Sequence, residues 1–349
     1  DLPDPSRTAK NAVTGKELGL YDETYPALTS DERLRMAIDA SIFKMHCGEG
    51  LISEEGEYSD SIFDSLVLDS NGLRCRHTET SFEYGAEVTV QDADGNRFSS
   101  YWWDATPMLK DLNIKDCGEI AFKRAMSQIG PVKIESGKYS MVIDSEVASR
   151  LVTPVLNALG GYSLQQKNSF MLDSLGKKMF PEWLNIWDRP ASVGETGSRL
   201  FDSEGVATAE MPIVENGVVK EYFVNTYMSR KMGVEATVED ATRPVVLPCF
   251  APSVAEPVEA TCGKEELMRI VGEGILVTGF NGGNSNSATG DFSFGVEGFL
   301  FKDGKIVHPV REMLITGNLL TLWNNLLAAG KDARICKSKL IPTLAFGNV

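Results

Sequence analysis

Histidine is scarce in this 349-residue chain: there are 3, His46, His77 and His308, and none between 78 and 307. Basic clusters are missing too. Lysine plus arginine come to 34 against 49 aspartate plus glutamate, a formal net charge of −15, and no run of Lys or Arg relieves that charge locally. Binding to nucleic-acid phosphate rests on a basic footprint, so direct binding to DNA is not expected. No apolar run approaches the roughly 20 residues needed to cross a bilayer, and no signal-peptide pattern opens the chain, so no membrane association is expected. The 6 cysteines, at 47, 75, 117, 249, 262 and 336, form no close pair and no C-x-x-C. That spacing reads as scattered reduced thiols, with a cytoplasmic location as the expectation. The opening Asp1-Leu2-Pro3-Asp4-Pro5 has no Met, and the expectation is a trimmed or partial chain that a further N-terminal region precedes, with an exported, processed protein as the alternative.

The length suits two domains of ordinary size. Residues 1–30, rich in Pro, Thr and charge, are expected to form an extended surface arm. Thr29 to Glu32 reads as a capping box, followed by Leu34, Ile38, Ile42 and Met45 at helical spacing. A helix over 30–46 is predicted. Strands are predicted near 62–70, 72–79, 82–92 and 97–103, with Asn71-Gly72 and Asp94-Gly95 as positive-φ turns. The acid-rich stretch 49–57 reads as a solvated loop. A second helix opens at Asp116 to Glu119 and ends before Gly130-Pro131. Residues 31–135 therefore read as an α+β middle domain.

Residues 136–349 read as a β-rich domain with a few helices, giving an α+β chain overall. A buried strand at Met141-Val142-Ile143 precedes a helix over 145–159, which Pro154 is expected to kink. Hairpins are predicted at Asn216-Gly217 and Asp303-Gly304, a short helix ending at Gly233, and an amphipathic helix carrying Leu319, Leu322, Trp323, Leu326 and Leu327.

The segment from Leu276 to Phe301, LVTGFNGGNSNSATGDFSFGVEGFLF, is expected to run from an apolar strand through a loop of Gly, Asn, Ser and Thr into another strand. Its glycines let backbone groups approach a partner closely. A phosphate cradle would need Lys and then Ser or Thr after the last glycine, with a helix following. Asp291-Phe292-Ser293 stands there instead, so an anionic ligand is not expected at these glycines. Strand followed by glycines suits the holding of an extended peptide by strand addition, through Asn281, Gly282, Gly283, Asn284, Ser285 and Asp291. A tight crossing in the core is the equally natural structural use of such glycines.

That block, with Ser169-Phe170-Met171-Leu172-Asp173-Ser174-Leu175-Gly176, Phe201-Asp202-Ser203-Glu204-Gly205-Val206 and Thr316-Gly317-Asn318-Leu319, resembles the TldD/PmbA family, once called modulators of DNA gyrase. The resemblance runs from about Asp31 to the C-terminus. In the catalytic branch of that family, a helix carries HExxxH, whose histidines bind a metal while the glutamate handles proton transfer to water. Alignment through Gly160-Gly161 and Lys167-Asn168-Ser169-Phe170 places that motif near Val152, Thr153 and Asn157, which supply neither a ligand pair nor a base. The resemblance thus implies the PmbA or TldE branch: no catalytic or metal residue in this chain, and zinc in a TldD-type partner bearing HExxxH. It implies a peptide or unfolded protein as substrate.

Other chemistries can be weighed from the residues. Cys336 lies near the place where the catalytic branch adds a cysteine ligand, but it lacks the paired histidines and reads as a structural thiol. His46-Cys47 with Cys75-x-His77 could assemble a zinc site, although the usual ligand spacing is missing. His308 with Ser285, Ser287 and Asp291 has no G-x-S-x-G elbow, so turn capping is the simpler use of those side chains. The leading expectation is a non-catalytic subunit of a heteromeric metallopeptidase. The alternative is a homodimeric peptide-binding or regulatory protein that cleaves nothing.

Overall fold

The computed structural model describes residues 2–13, 17–46, 48–254 and 262–348. The first portion contains α1 (Ser30–Asp39), α2 (Phe43–His46), β1 (Leu51–Leu68), β2 (Arg74–Gln91), β3 (Arg97–Thr106) and α3 (Cys117–Ser127). The strands form an antiparallel sheet in the order β1-β2-β3. On β2 the buried side chains change face partway along. Cys75 and His77 bury on one face, and Phe82, Tyr84, Ala86, Val88 and Val90 on the other. Val88 and Val90 pack under α3 with Ala121, Phe122 and Ala125. The opposite end packs against Ala9 and Ala12 of the leading segment and Phe201.

The acid-rich stretch 49–57 is not a loop, because β1 and β2 each run 18 residues, and Glu54, Glu55 and Glu57 stand in register opposite Val88, Glu87 and Gly85. The predicted helix over 30–46 is two helices. Thr29 does form the capping box with Glu32, but Glu54 on β1 accepts the backbone N–H groups of Ile42 and Phe43, which restarts the chain as α2. Leu34, Ile38 and Met45 are consequently exposed, and only Ile42 of that apolar series is buried. At the turns after β1 and β2 only the glycines, Gly72 and Gly95, have positive φ. Asp69 and Asp92 close those loops by accepting N–H groups at 2.8–2.9 Å.

The second portion contains β4 (Met141–Ile143), α4 (Ser149–Ala158), α5 (Gly161–Gln165), β5 (Ile186–Asp188), β6 (Met211–Glu215), β7 (Val218–Val219), α6 (Thr226–Met232), β8 (Pro244–Val246) and β9 (Cys249–Phe250). It continues with α7 (Lys264–Val271), β10 (Glu273–Ser285), β11 (Asp291–Lys302), β12 (Lys305–Asn318), α8 (Leu319–Asn324), β13 (Leu326–Ala329) and β14 (Leu344–Phe346). Seven strands form one sheet in the order β12-β11-β10-β4-β14-β13-β9, and four form another, β7-β6-β5-β8. Alternation on β4 shows the layering. Met141 and Ile143 enter a large core with α4, Ile186, Val214 and Trp323, whereas Val142 faces the other way toward Leu267 and Met268 of α7.

Asn216-Gly217 and Asp303-Gly304 adopt positive φ at both residues, as two-residue hairpins require. Gly233 closes α6 at φ 69°. The amphipathic helix expected after Asn318 stops at Asn324. Leu326–Ala329 become β13 because their backbone groups pair with β14 and β9 inside the seven-stranded sheet, and that pairing overrides the helical spacing. Likewise the Gly-rich segment 279–285 is not a loop but the far half of β10, and the turn is confined to residues 286–290.

Candidate functional site

β10 runs parallel to β4 through only three pairs, Ile275 to Val277 against Met141 to Ile143. There β4 ends. The Asp144 carbonyl accepts the N–H groups of Val147 and Ala148, and its carboxylate that of Glu146, which turns the chain away into α4. β10 continues to Ser285 with β11 on one side and, among the described residues, no strand on the other. Two irregularities, at Val277/Gly279 and Phe280/Gly283, bend it. Gly283 is required at the second. Its φ is 85°, and a Cβ there would lie 2.0 Å from the Ser293 carbonyl oxygen.

The unpaired side of β10 borders a cavity of ≈ 770 Å³ between the two portions of the chain. Such volumes and such positions are common for ligand sites. Ser99 to Tyr101, Arg124 and Gln128 line it from β3 and α3. Arg150, Thr153, Pro154 and Asn157 present one face of α4, and Thr278, Gly279, Phe280, Asn284 and Ser285 come from β10. Phe294 forms an apolar floor, edge-to-face with Phe280 at 5.6 Å and stacked on Phe292 at 5.1 Å. The Arg150 guanidinium lies 5.1 Å from the Phe294 ring centroid and donates to the Gly283 carbonyl at 2.7 Å. Lys264 is paired with Asp144 at 3.1 Å, and Glu297 with Arg311 at 3.6 Å.

The structure brings together some of the residues singled out from sequence and not others. Asn284 and Ser285 line the cavity; Asn281 lies close by on β10, donating to Glu297 at 3.1 Å, and Gly282 has open space where a Cβ would stand. Asp291 is turned to a different task. Its carboxylate accepts from Thr289 at 2.7 Å and Asn318 at 3.0 Å, and these bonds, Asn318 foremost, hold its pKa below the usual value. Thr153 and Asn157 do face the cavity, but Val152 is fully buried in the core. A zinc ion requires His, Cys or carboxylate ligands, and this helix face offers a hydroxyl and an amide, so these residues do not fit one. Among the described residues no group of three or more His, Cys, Asp or Glu side chains is placed to hold a metal.

The zinc site weighed from His46, Cys47, Cys75 and His77 does not assemble; Cys47 lies outside the described residues. His46 stacks on Phe122 at 4.0 Å, beside Val88 and Val90, whereas Cys75 lies about 40 Å away along β2 at roughly 3.3 Å per residue. His46 is held instead by Glu119 at 2.6 Å and Glu49 at 3.1 Å, which raise its pKa. The His308 ring bonds the neighbouring Pro309 carbonyl, and its backbone lies opposite Leu300 in the β11–β12 ladder. Cys336 is half-buried, and burial pushes its thiol up despite the adjacent Arg334.

Arg150 and Arg124 were not legible as cavity residues. One follows a predicted strand by seven positions and the other lies on a helix in the other portion, so nothing in the linear sequence joins them.

Comparison with known proteins agrees with this architecture. The family model for the PmbA/TldA metallopeptidase C-terminal domain matches residues 136–349, and that for the central domain matches residues 19–129. The metalloprotease PmbA of Escherichia coli O157:H7 is 28% identical over 98% of this chain and 76% of its own length. The PmbA homologue of Haemophilus influenzae is 31% identical over 90% of this chain, which spans only 64% of that relative. A crystal structure from Bacteroides thetaiotaomicron, described as a candidate modulator of DNA gyrase, superposes with a TM-score of 0.92 at 39% identity, covering 100% of this chain and 77% of that one. TldE from Thermococcus kodakarensis shares the fold, with a TM-score of 0.81 at 19% identity over 100% of this chain and 78% of its own. Two family models, spanning most of the chain in order, establish that this protein belongs to the PmbA/TldD metallopeptidase family.

Proposed function

We propose that this chain is the peptide-holding subunit of a TldD/TldE-type metallopeptidase, acting in the cytoplasm on extended or unfolded peptides. The observation that carries the reading is the unpaired side of β10 at Thr278–Ser285, bordering a cavity with an aromatic floor. Backbone groups on a free strand side bind an extended chain regardless of its sequence, and flanking pockets take alternate side chains. The eight residues 278–285 offer at most about 26 Å of such a track. Hydrolysis in this reading belongs to an HExxxH-bearing partner that holds zinc, since Thr153 and Asn157 furnish neither ligand nor general base at the corresponding face of α4.

Native co-purification of the full-length protein, with metal analysis and peptide cleavage measured on the complex and on the isolated chain, tests this. Zinc and cleavage that appear only with the HExxxH-bearing partner support the subunit reading. A stable homodimer that binds peptide and ignores such a partner replaces it with a regulatory, non-hydrolytic role. Metal-dependent cleavage by the isolated chain overturns both.

A further inference from the structure

The charges on this cavity run against the charge of the chain. The protein as a whole carries −15. The cavity wall carries Arg124, Arg150, Lys264 and Glu297. Lys264 is neutralised by Asp144 and Glu297 by Arg311. Two guanidiniums remain, and among the described residues neither has a carboxylate partner. Arg124 touches the Ser100 hydroxyl at 3.4 Å and lies 5.3 Å from the Trp102 ring centroid. Arg150 touches the Gly283 carbonyl and the Phe294 ring.

Stacking on a ring fixes the plane of a guanidinium without using its N–H edge. Arginine has five N–H donors, and each of these two has one committed in the contacts described, so both retain donors in the fork geometry that matches a carboxylate. The arginines also approach from different portions of the chain, Arg124 from α3 and Arg150 from α4 beside β10. A ligand lying along β10 therefore shares the cavity with two cations that keep free donors.

We propose that this cleft selects peptides bearing a carboxylate, which Arg124 and Arg150 receive while the backbone pairs with β10. This names a substrate class for the site above and rests on that reading. The carboxylate has two sources, an acidic side chain or the free C-terminus of the peptide, and the chemistry of recognition is the same for both.

The test measures binding of fluorescent hexapeptides to the purified chain, alone and in its complex. The set comprises a neutral peptide with an amidated C-terminus, the same peptide with a free C-terminus, and amidated versions carrying one Asp or Glu. The carboxylate-bearing peptides are expected to bind about tenfold or more tightly than the neutral one, the worth of a charge-assisted contact. Arg124→Gln should erase that preference while neutral peptide still binds, Arg150→Gln should erase it too, with any loss of neutral binding in that variant reporting the lost hold on Gly283, and added salt should narrow the preference in the parent chain. Whichever carboxylate peptide gains affinity identifies the source. Neutral and carboxylate peptides binding alike, or a preference that survives both substitutions, overturns the selection and leaves strand addition standing. A chain that binds none of them overturns strand addition as well.

Discussion

Arg150 donates from Nη2 to the Gly283 carbonyl at 2.7 Å, fastening α4 to the stretch of β10 that β4 leaves unpaired. That stretch bends at two irregularities, so this contact is expected to hold its shape more than to hold the fold together. Arg150→Ala should change global stability by about 0.5 kcal/mol or less, as exposed substitutions do. It should speed hydrogen exchange of amides in 279–285 under native conditions. Unchanged exchange there would show that the strand keeps its shape without Arg150.

Gly282 and Gly283 make a controlled comparison. Both have positive φ, 120° and 85°, but a Cβ on Gly282 meets open space whereas one on Gly283 strikes the Ser293 carbonyl oxygen. Gly282→Ala should cost roughly 1–2 kcal/mol of backbone strain. Gly283→Ala should cost more, because the β10–β11 register must also shift. Urea unfolding of the two variants decides the order, and equal midpoints would mean the register relaxes without penalty.

His46 gives a pH dependence of stability. Its hydrogen bonds to Glu119 and then Glu49 raise its pKa above the ordinary 6.5, and Glu119 is lowered chiefly by the same bond to His46. A raised folded value means the histidine's contribution is fully present below pH 6.5 and fades as pH climbs through the folded pKa. Denaturant midpoints between pH 6 and pH 9 should fall with pH, and Glu119→Gln should flatten that part of the profile. A decline of the same size in the variant would assign it to other groups.

Arg334 clamps the two portions together. Its guanidinium lies 4.5 Å from the Trp102 ring and 5.0 Å from Trp103, donates to the Trp103 carbonyl at 2.6 Å and pairs with Glu146 at 3.1 Å. Lys337 also reaches Glu146 at 3.1 Å, so that carboxylate keeps a partner when Arg334 is removed. Arg334→Ala should therefore cost about 2 kcal/mol, between the worth of a surface pair and that of a fully buried one. Near-UV circular dichroism should report altered tryptophan packing. A loss below about 1 kcal/mol, the range of surface pairs, would remove the clamp from the account.

The thiols should be protected. Cys117 and Cys249 are buried with pKa values pushed up to about 12, mainly by burial. Native-state alkylation at pH 8 read by peptide mass spectrometry should leave both unlabelled, while denaturation labels both. Rapid native labelling of either would show that its cover opens.

Local chemistry made part of this architecture legible. Thr29 and Glu32 announced a helix start, and Asn216-Gly217 and Asp303-Gly304 announced turns, because each signal involves only adjacent backbone. What escaped depends on distant partners. Glu54 splits a helix by capping Ile42 across the fold, Leu326 becomes strand because β14 and β9 await it, and β10 extends through its glycines because β11 pairs with them. The cavity follows the same rule. Its Gly-Asn-Ser wall was visible in sequence, but Arg124 and Arg150 meet only when α3 and α4 flank one space.

Hydrogen exchange at saturating hexapeptide reads out whether an extended peptide docks on the free side of β10. New protection of amides within Thr278–Ser285 is expected, with the outer strand β12 unaffected. Peptide that binds while protection rises on β12, or anywhere other than β10, would contradict it.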